Sequence, residues 1–288
     1  MKIKMLPALL MRREMLIPMC ALLASGMQAD GALATGVTSN WRAFAMSGKK
    51  DSFQMSGTSM VVGNVAVANA AYDSDDDDDD SNSHNVGTGA LRTFMLSGNA
   101  MVTGNLSFHT TASGQVTAPA MVQGGYVSNW ATDSSMLSQA NAAKSQALYY
   151  CGLSNAGFSP APSTIKTSSN LTLSGGLALN VLNLNELSLS GNSILTIAGS
   201  TGRQFVFNVD TKFSLSGNSK IVLGMNVDPL DVIFNFKGKK ATMSGNTSLN
   251  GVLMAANGEF QGSGNAVVKG QVIADEIKLT GNSKIVSP

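Results

Sequence analysis

One short pattern, an apolar–polar–apolar triplet followed by Ser-Gly-Asn, recurs along this chain and restricts its possible folds more than any other feature. It reads Leu187-Ser-Leu-Ser-Gly-Asn-Ser193, Phe213-Ser-Leu-Ser-Gly-Asn-Ser219 and Ala241-Thr-Met-Ser-Gly-Asn-Thr247. Further copies are Phe260-Gln-Gly-Ser-Gly-Asn-Ala266, Ile277-Lys-Leu-Thr-Gly-Asn-Ser283 and, upstream, Phe94-Met-Leu-Ser-Gly-Asn-Ala100. Looser copies stand at Phe53-Gln-Met-Ser-Gly-Thr-Ser59 and Leu171-Thr-Leu-Ser-Gly-Gly-Leu177. The triplet alternates with period two, as a strand with one buried face does. Gly and Asn tolerate positive φ, so the chain can bend sharply after it. A second alternating stretch follows, such as Ser193-Ile-Leu-Thr-Ile197 or Lys220-Ile-Val-Leu223. Strand, corner, strand makes one side of a coil.

Corner glycines counted from Gly175 stand at 191, 217, 245, 264 and 281, in steps of 16, 26, 28, 19 and 17. One such coil cannot bury its apolar face alone, but stacked coils share a continuous core. The pattern therefore predicts an all-β fold, a right-handed parallel β-helix (β-solenoid). The structural corner repeat comprises Gly98-Asn99, Gly191-Asn192, Gly217-Asn218, Gly245-Asn246, Gly264-Asn265 and Gly281-Asn282. Coils stacked about 4.8 Å apart would align those asparagines, whose amides can then hydrogen-bond along the stack. The competing reading is an ordinary β-sandwich that favours Ser-Gly-Asn turns.

The first thirty residues read differently. Lys2, Lys4, Arg12 and Arg13 form a basic start, an apolar run covers Met15 to Ala24, and small residues follow. That run is short for a membrane span, so residues 1–29 are expected to be a secretory signal peptide, cleaved between about 26 and 34. A retained anchor is the alternative. Nothing later approaches a span, so no membrane crossing is expected in the mature chain, and the protein is expected to be secreted or at the cell surface. Without residues 1–29 the chain keeps 15 basic and 17 acidic residues, six of the latter in the run Asp75–Asp80. No concentrated basic face exists, which argues against a nucleic-acid partner. Cys20 leaves with the leader, so Cys151 has no intrachain partner, and stability is expected to come from packing.

A single solenoid domain is expected over 30–288, with two departures from the repeat. Around 133–151 the period becomes helical, with Met136, Leu137, Ala140, Ala143, Ala147, Leu148 and Cys151 on one stripe. Thr132 or Asp133 would cap this helix and Gly152 would stop it, so one helix should lie along the solenoid flank. The segment 72–89 holds Asp75–Asp80 among Ser, Asn and Gly, and six adjacent like charges predict a solvated loop. A calcium site there is the competing reading, although calcium ligands normally alternate with turn residues.

Catalytic signatures are sparse. The only histidines are His84 and His109, and neither a Gly-x-Ser-x-Gly elbow nor a His-Glu-x-x-His pair occurs. Glutamates beyond the leader are Glu186, Glu259 and Glu276; the close acidic pairs outside the run are Asp228 with Asp231 and Asp275 with Glu276. A glycosidase needs two carboxylates facing across a cleft, whereas neighbours in a strand point to opposite faces. The expectation is a protein that is not an enzyme, with no cofactor and no metal.

Gln204-Phe-Val-Phe-Asn-Val209, Asp231-Val-Ile-Phe-Asn-Phe236, Leu249-Asn-Gly-Val-Leu-Met-Ala-Ala256 and Val268-Lys-Gly-Gln-Val-Ile-Ala274 follow one another in the second half. With Gly63-Asn-Val-Ala-Val-Ala68, their succession over about 60–285 resembles the bacterial choice-of-anchor A family, a collagen-binding-like or adhesive β-helix domain. The resemblance implies a surface or extracellular role for a right-handed β-helix with a helix beside it. Members of that family often end in a sorting tail, whereas this chain stops at Ile285-Val-Ser-Pro288, so free secretion is expected.

The leading functional expectation is an adhesin-like or extracellular matrix protein whose extended polar face binds a polymer, matrix protein or glycan. Two alternatives stand beside it. The architecture also resembles ice-binding proteins, in which a flat Ser- or Thr-rich face meets ice; here Ser188, Ser214 and Thr242 fall in an outward row that Lys278 breaks. Polysaccharide lyases likewise use β-solenoids, which keeps a polysaccharide-active enzyme as the third reading.

Overall fold

The computed structural model describes residues 35–70 and 91–288. The leader with its cleavage window, the aspartate run and His84 lie outside those residues. The described strands pair in parallel, in register, as coils with three faces, and one α-helix of the described residues lies against the stack. This is the parallel β-helix that the repeat predicts, with the flanking helix that the helical period predicts. Among the described residues no helix is long and apolar enough to cross a membrane.

The chain enters the stack in its middle. Trp41–Ser47 pairs on one side with Asn64–Ala70 and on the other with Val267–Leu279, near the far end of the sequence. From Trp41 the coils build outward through Asn105–Phe108 to Gly125–Val127. The helix α1, Trp130–Cys151, then returns the chain along the first face to the opposite end. There Thr164–Thr167 starts a second run of coils, which closes when Lys284–Val286 pairs with Met60–Val61. The 22 residues of α1 extend about 33 Å. Nine strands on the first face span about 38 Å, so the helix with its short connections just covers the traverse.

Stacking like on like gives the interior its layers. Phe207 lies parallel to Phe234 with ring centroids 5.0 Å apart, and Phe213 meets Phe234 edge-on at 5.8 Å. Large residues alternate with small ones: the Phe94 ring occupies the space where a Cβ on Gly114 of the next coil would stand. Burying one such ring contributes roughly 1.5–3 kcal/mol. A second apolar layer lies under α1, where Phe44, Met46, Val206, Ile233 and Met254 meet Met136, Ala140, Ala143, Ala147 and Tyr150.

Two sequence expectations need correction. The helix starts three residues before the expected 133, because Asn129 is the cap, its side-chain oxygen accepting from the Thr132 N–H at 2.9 Å. Asp133 is buried instead and accepts the Thr110 N–H and hydroxyl at 3.1 and 2.7 Å. Leu137 and Leu148, expected on the buried stripe, face outward at 41% and 68% exposure, and Tyr150 takes the inner position. Rotating the helix this way sets the small Ala140, Ala143 and Ala147 against the strands, where a close approach is needed. The second correction concerns Leu171-Thr-Leu-Ser-Gly-Gly-Leu177. Leu171–Ser174 pairs with Leu195–Ala198 on the third face, so Gly175 stands one corner further along than the other repeat glycines.

Candidate functional site

The repeat places its Ser-Gly-Asn at the corner between the second and third faces. Gly98, Gly191, Gly217, Gly245, Gly264 and Gly281 all adopt positive φ there. Through the corner the backbone ladder continues: the N–H groups of Asn218, Asn246, Asn265 and Asn282 donate to the preceding coil's glycine carbonyl at 2.6–2.8 Å. Their side chains form a second ladder. Nδ2 of Asn218 donates to Oδ1 of Asn192 at 2.8 Å, Asn246 to Asn218 at 2.9 Å, Asn265 to Asn246 at 2.7 Å and Asn282 to Asn265 at 3.2 Å. All five asparagines are exposed. Thr58 ends the series and turns its hydroxyl to the Gly281 carbonyl; Asn99 lies one coil beyond.

Outward positions on the second face fall in rows. The central row runs Lys166, Ser188, Ser214, Thr242, Gln261, Lys278, Gln54, Met95, each residue registered on the next. Four successive coils therefore present uncharged polar groups, bounded by a lysine at each end. Thr242 Oγ1 donates to Ser214 Oγ at 3.3 Å within that row. Nearer the corner, Ser190, Ser216, Ser244, Ser263 and Thr280 form a hydroxyl column, each backbone N–H bonded to the neighbouring coil.

Charge gathers on the edge toward the first face. Glu186 meets Lys212 at 2.9 Å, and that hydrogen bond holds its carboxyl below the usual range. Lys278 lies 3.4 Å from Glu259 and 3.2 Å from Glu276. Desolvation pulls the Lys278 ammonium down, but its bond to Glu276 and both carboxylate charges outweigh this and leave its pKa raised. Asp275 is raised by burial against the opposing pull of Lys49. Of the other acidic pair considered in the sequence, Asp228 caps a short 3-10 turn, accepting the Leu230 N–H at 2.8 Å.

The third face is mixed. Ile194, Lys220, Ser248, Val267, Lys284, Met60, Met101 and Met121 form one outward row. Its methionine end escaped the sequence reading, because the three residues are far apart in the chain and lie in two-residue strands. The first face is covered by α1. An inner ladder lies beneath the end of that helix: Asn208 Nδ2 donates to the Tyr150 carbonyl at 2.6 Å and to Asn183 Oδ1 at 2.7 Å. Asn235 Nδ2 likewise donates to the Ala147 carbonyl at 2.9 Å and to Asn208 Oδ1 at 2.8 Å.

A family model described as "Putative Ice-binding-like adhesive domain" matches residues 34–285. Solved structures share the fold. An ice-binding protein from the Antarctic ascomycete Antarctomyces psychrotrophicus aligns with TM-score 0.54 at 17% identity, covering 89% of this chain and 98% of that one. One from an Arctic yeast gives TM-score 0.53 at 13% identity, over 91% and 96%. One from an Antarctic bacterium of the Flavobacteriaceae gives 0.56 at 16%, over 89% of this chain and 48% of that. At these identities the likeness is one of fold. No curated protein matches in sequence.

These findings overturn the expectation of an adhesin-like or matrix protein gripping a polymer, and favour the ice-binding alternative. The adhesin reading rested on an extended polar face, which any β-solenoid with Ser and Asn corners presents. Strand and corner signals carry no information about what such a face touches.

Proposed function

Since the chain belongs to the ice-binding-like adhesive domain family, we propose that it binds ice outside the cell. The observation that carries this reading is the uncharged outward array of the coils that follow α1, repeated without a break from Ser188 to Gln261. An ice surface is a neutral lattice of water molecules that repeats its donors and acceptors at fixed intervals. A protein surface can match it only if its own groups repeat and stay in place. Parallel stacking supplies one interval of about 4.8 Å between strands, and alternation supplies another of about 6.6 Å along them. The rigid backbone means that little ordering remains to be done on contact. Ordered first-shell water can then bridge hydroxyls and amides to the lattice. Lys166 and Lys278 bound the array, as strongly hydrated ammonium groups would.

Export fits this role, and the leader-like Lys2–Ala29 supports it. The choice-of-anchor A resemblance is the finer placing within this reading, and a non-catalytic role is part of it. Glu186, Glu259 and Glu276 are tied to Lys212 and Lys278 along one edge, which supports a structural use of these carboxylates.

Thermal hysteresis and inhibition of ice recrystallisation by the purified protein test the proposal. The expected outcome is a measurable freezing–melting gap and fine-grained ice at micromolar protein. Folded protein with neither effect overturns it.

A further inference from the structure

We propose that the end of the solenoid at 112–127 docks a second copy of this chain, end on end, as a closed two-fold dimer. The last coil there consists of Ala112–Val116, Met121–Val122 and Gly125–Val127, one strand on each face. Among the described residues no strand pairs with its far side. The N–H groups of Met121 and Gln123 donate back to Ala100 and Val102, each at 2.9 Å. Residues alternate in a parallel strand, so the N–H and C=O of Val122 between them point off the end. The core is cut open in the same plane. Tyr126 is registered on Leu106 and Val65, both fully buried, yet is itself 53% exposed. Val116 and Val122 continue the buried rows of Leu96 and Val102 and are half-buried. The opposite end is closed over its core by the chain that follows α1. Phe158 lies against Phe205 and Phe207 at 6.2 and 5.6 Å, and Ala156 exchanges backbone hydrogen bonds with Val181 at 2.9 and 2.8 Å.

Exposed strand edges ordinarily carry charges, prolines or a covering segment, because an unguarded edge pairs with another edge that it meets. Charges are missing here: residues 93–132 contain no Asp, Glu, Lys or Arg, and Pro119 stands at a corner between strands. Like charges, which oppose contact between identical surfaces, are therefore absent from the coil. The shape of the end selects the partner. Three edges set around an open core are matched by three edges set in the same way. The opposite end, with Phe158 over its core and its first-face edge already paired, does not offer them. The same end of a second copy does, turned by a two-fold axis across the stack. That operation lays Ala112–Val116 antiparallel on its own counterpart and pairs the two shorter strands with each other. The apolar core then runs on from one copy into the other, and association stops at two because both open ends are used. Each side of the coil is about five residues, roughly 17 Å. The interface is thus at the small end of specific interfaces, with an affinity in the micromolar range. The second and third faces stay free, so the dimer does not depend on what those faces bind.

Sedimentation velocity and light scattering of the purified protein, from about 1 to about 200 μM, test the proposal. The expected result is a monomer–dimer equilibrium with no larger species. A monomer throughout overturns the proposal, and so does a series of growing oligomers, which needs contacts other than one self-matching end. Tyr126→Lys sets a charge from each copy in the middle of the contact, at a site that water already reaches in the monomer. It is expected to weaken the dimer about tenfold or more, whereas Leu177→Lys, exposed beside the closed end, leaves it unchanged. An unchanged dimer in folded Tyr126→Lys, or equal weakening by both variants, overturns the proposal. If Tyr126→Lys does not fold, hydrogen exchange on the parent decides. Amides of 112–116 and 121–127 are expected to gain protection as concentration rises, while those of Thr164–Thr167 at the other end do not. Equal behaviour of the two ends defeats the assignment.

Discussion

Gly245 has φ +79°, and a Cβ placed on it would stand 2.5 Å from the carbonyl oxygen of Gly217 in the neighbouring coil. Two costs therefore add at this residue. The left-handed region itself costs a substituted residue about 1–3 kcal/mol when the surroundings enforce it. The neighbouring carbonyl must also move, and it cannot move freely because it accepts the Asn246 N–H at 2.7 Å. Gly245→Ala is expected to lower the melting temperature clearly while leaving the strand content by circular dichroism unchanged. An unchanged melting temperature would mean that the corner can rebuild itself without a positive φ. A demand of this kind is local, which is why glycine in a repeated context advertises it in the sequence. Gly175 shows the limit of that argument: its neighbours read like the repeat, yet pairing of Leu171 with Leu195 puts it at another corner. Neighbouring letters fix a bend without fixing which bend of the coil it is.

Among elements, α1 shows what a period can and cannot tell. Its existence was legible from apolar residues at helical spacing, and so was its position against the flank. Its rotation was not, because Leu137 and Leu148 are as apolar as the residues that are buried. What sets the rotation is the surface beneath, where strands leave room for alanine and for one aromatic ring at Tyr150. The inner asparagines were equally hidden. In Phe207-Asn208-Val209 the asparagine looks like one polar position in an apolar strand, and only the stack shows three such positions registered as Asn183, Asn208 and Asn235. They donate to the Tyr150 and Ala147 carbonyls in the last turns of α1 and so tie the end of the helix to the first face. Asn208→Ala is expected to destabilise the protein by about 1–3 kcal/mol, the cost of removing the amide that links Asn183 to Asn235 in the buried ladder. Chemical denaturation with both circular dichroism and tyrosine fluorescence measures it. A midpoint equal to the parent's would show that water or a neighbour takes over the Asn183 oxygen.

On the scale of the whole molecule, the repeat made the solenoid legible but gave no hint of how its two runs join. The seam brings Ala43 to Val272, Phe53 to Ile277 and Val61 to Ile285, partners from opposite ends of the chain. Nothing in a local window distinguishes these strands from those within a run, since both sides present the same alternation and the same corners. The consequence is physical. In a stack each coil touches only its neighbours, so stability is close to a sum of nearest-neighbour terms. Each run can then keep its own internal contacts if the seam is weakened, with α1 still connecting them. Ile285 is fully buried on the third-face side of the seam. Ile285→Asp places an uncompensated carboxylate there, at a cost on the order of 3–5 kcal/mol. The damage should fall unequally. The run from Trp41 to Val127 is the shorter, and its last coil, around Ala112–Val116, is largely half-buried or exposed. The run from Thr164 onward holds the stacked Phe207 and Phe234 and both asparagine ladders. Native-state hydrogen exchange on Ile285→Asp is therefore expected to show amides of 41–127 losing protection before those of 204–268. Uniform loss over both would mean that the seam and helix bind the runs into one cooperative unit, and the nearest-neighbour description would not hold for this protein.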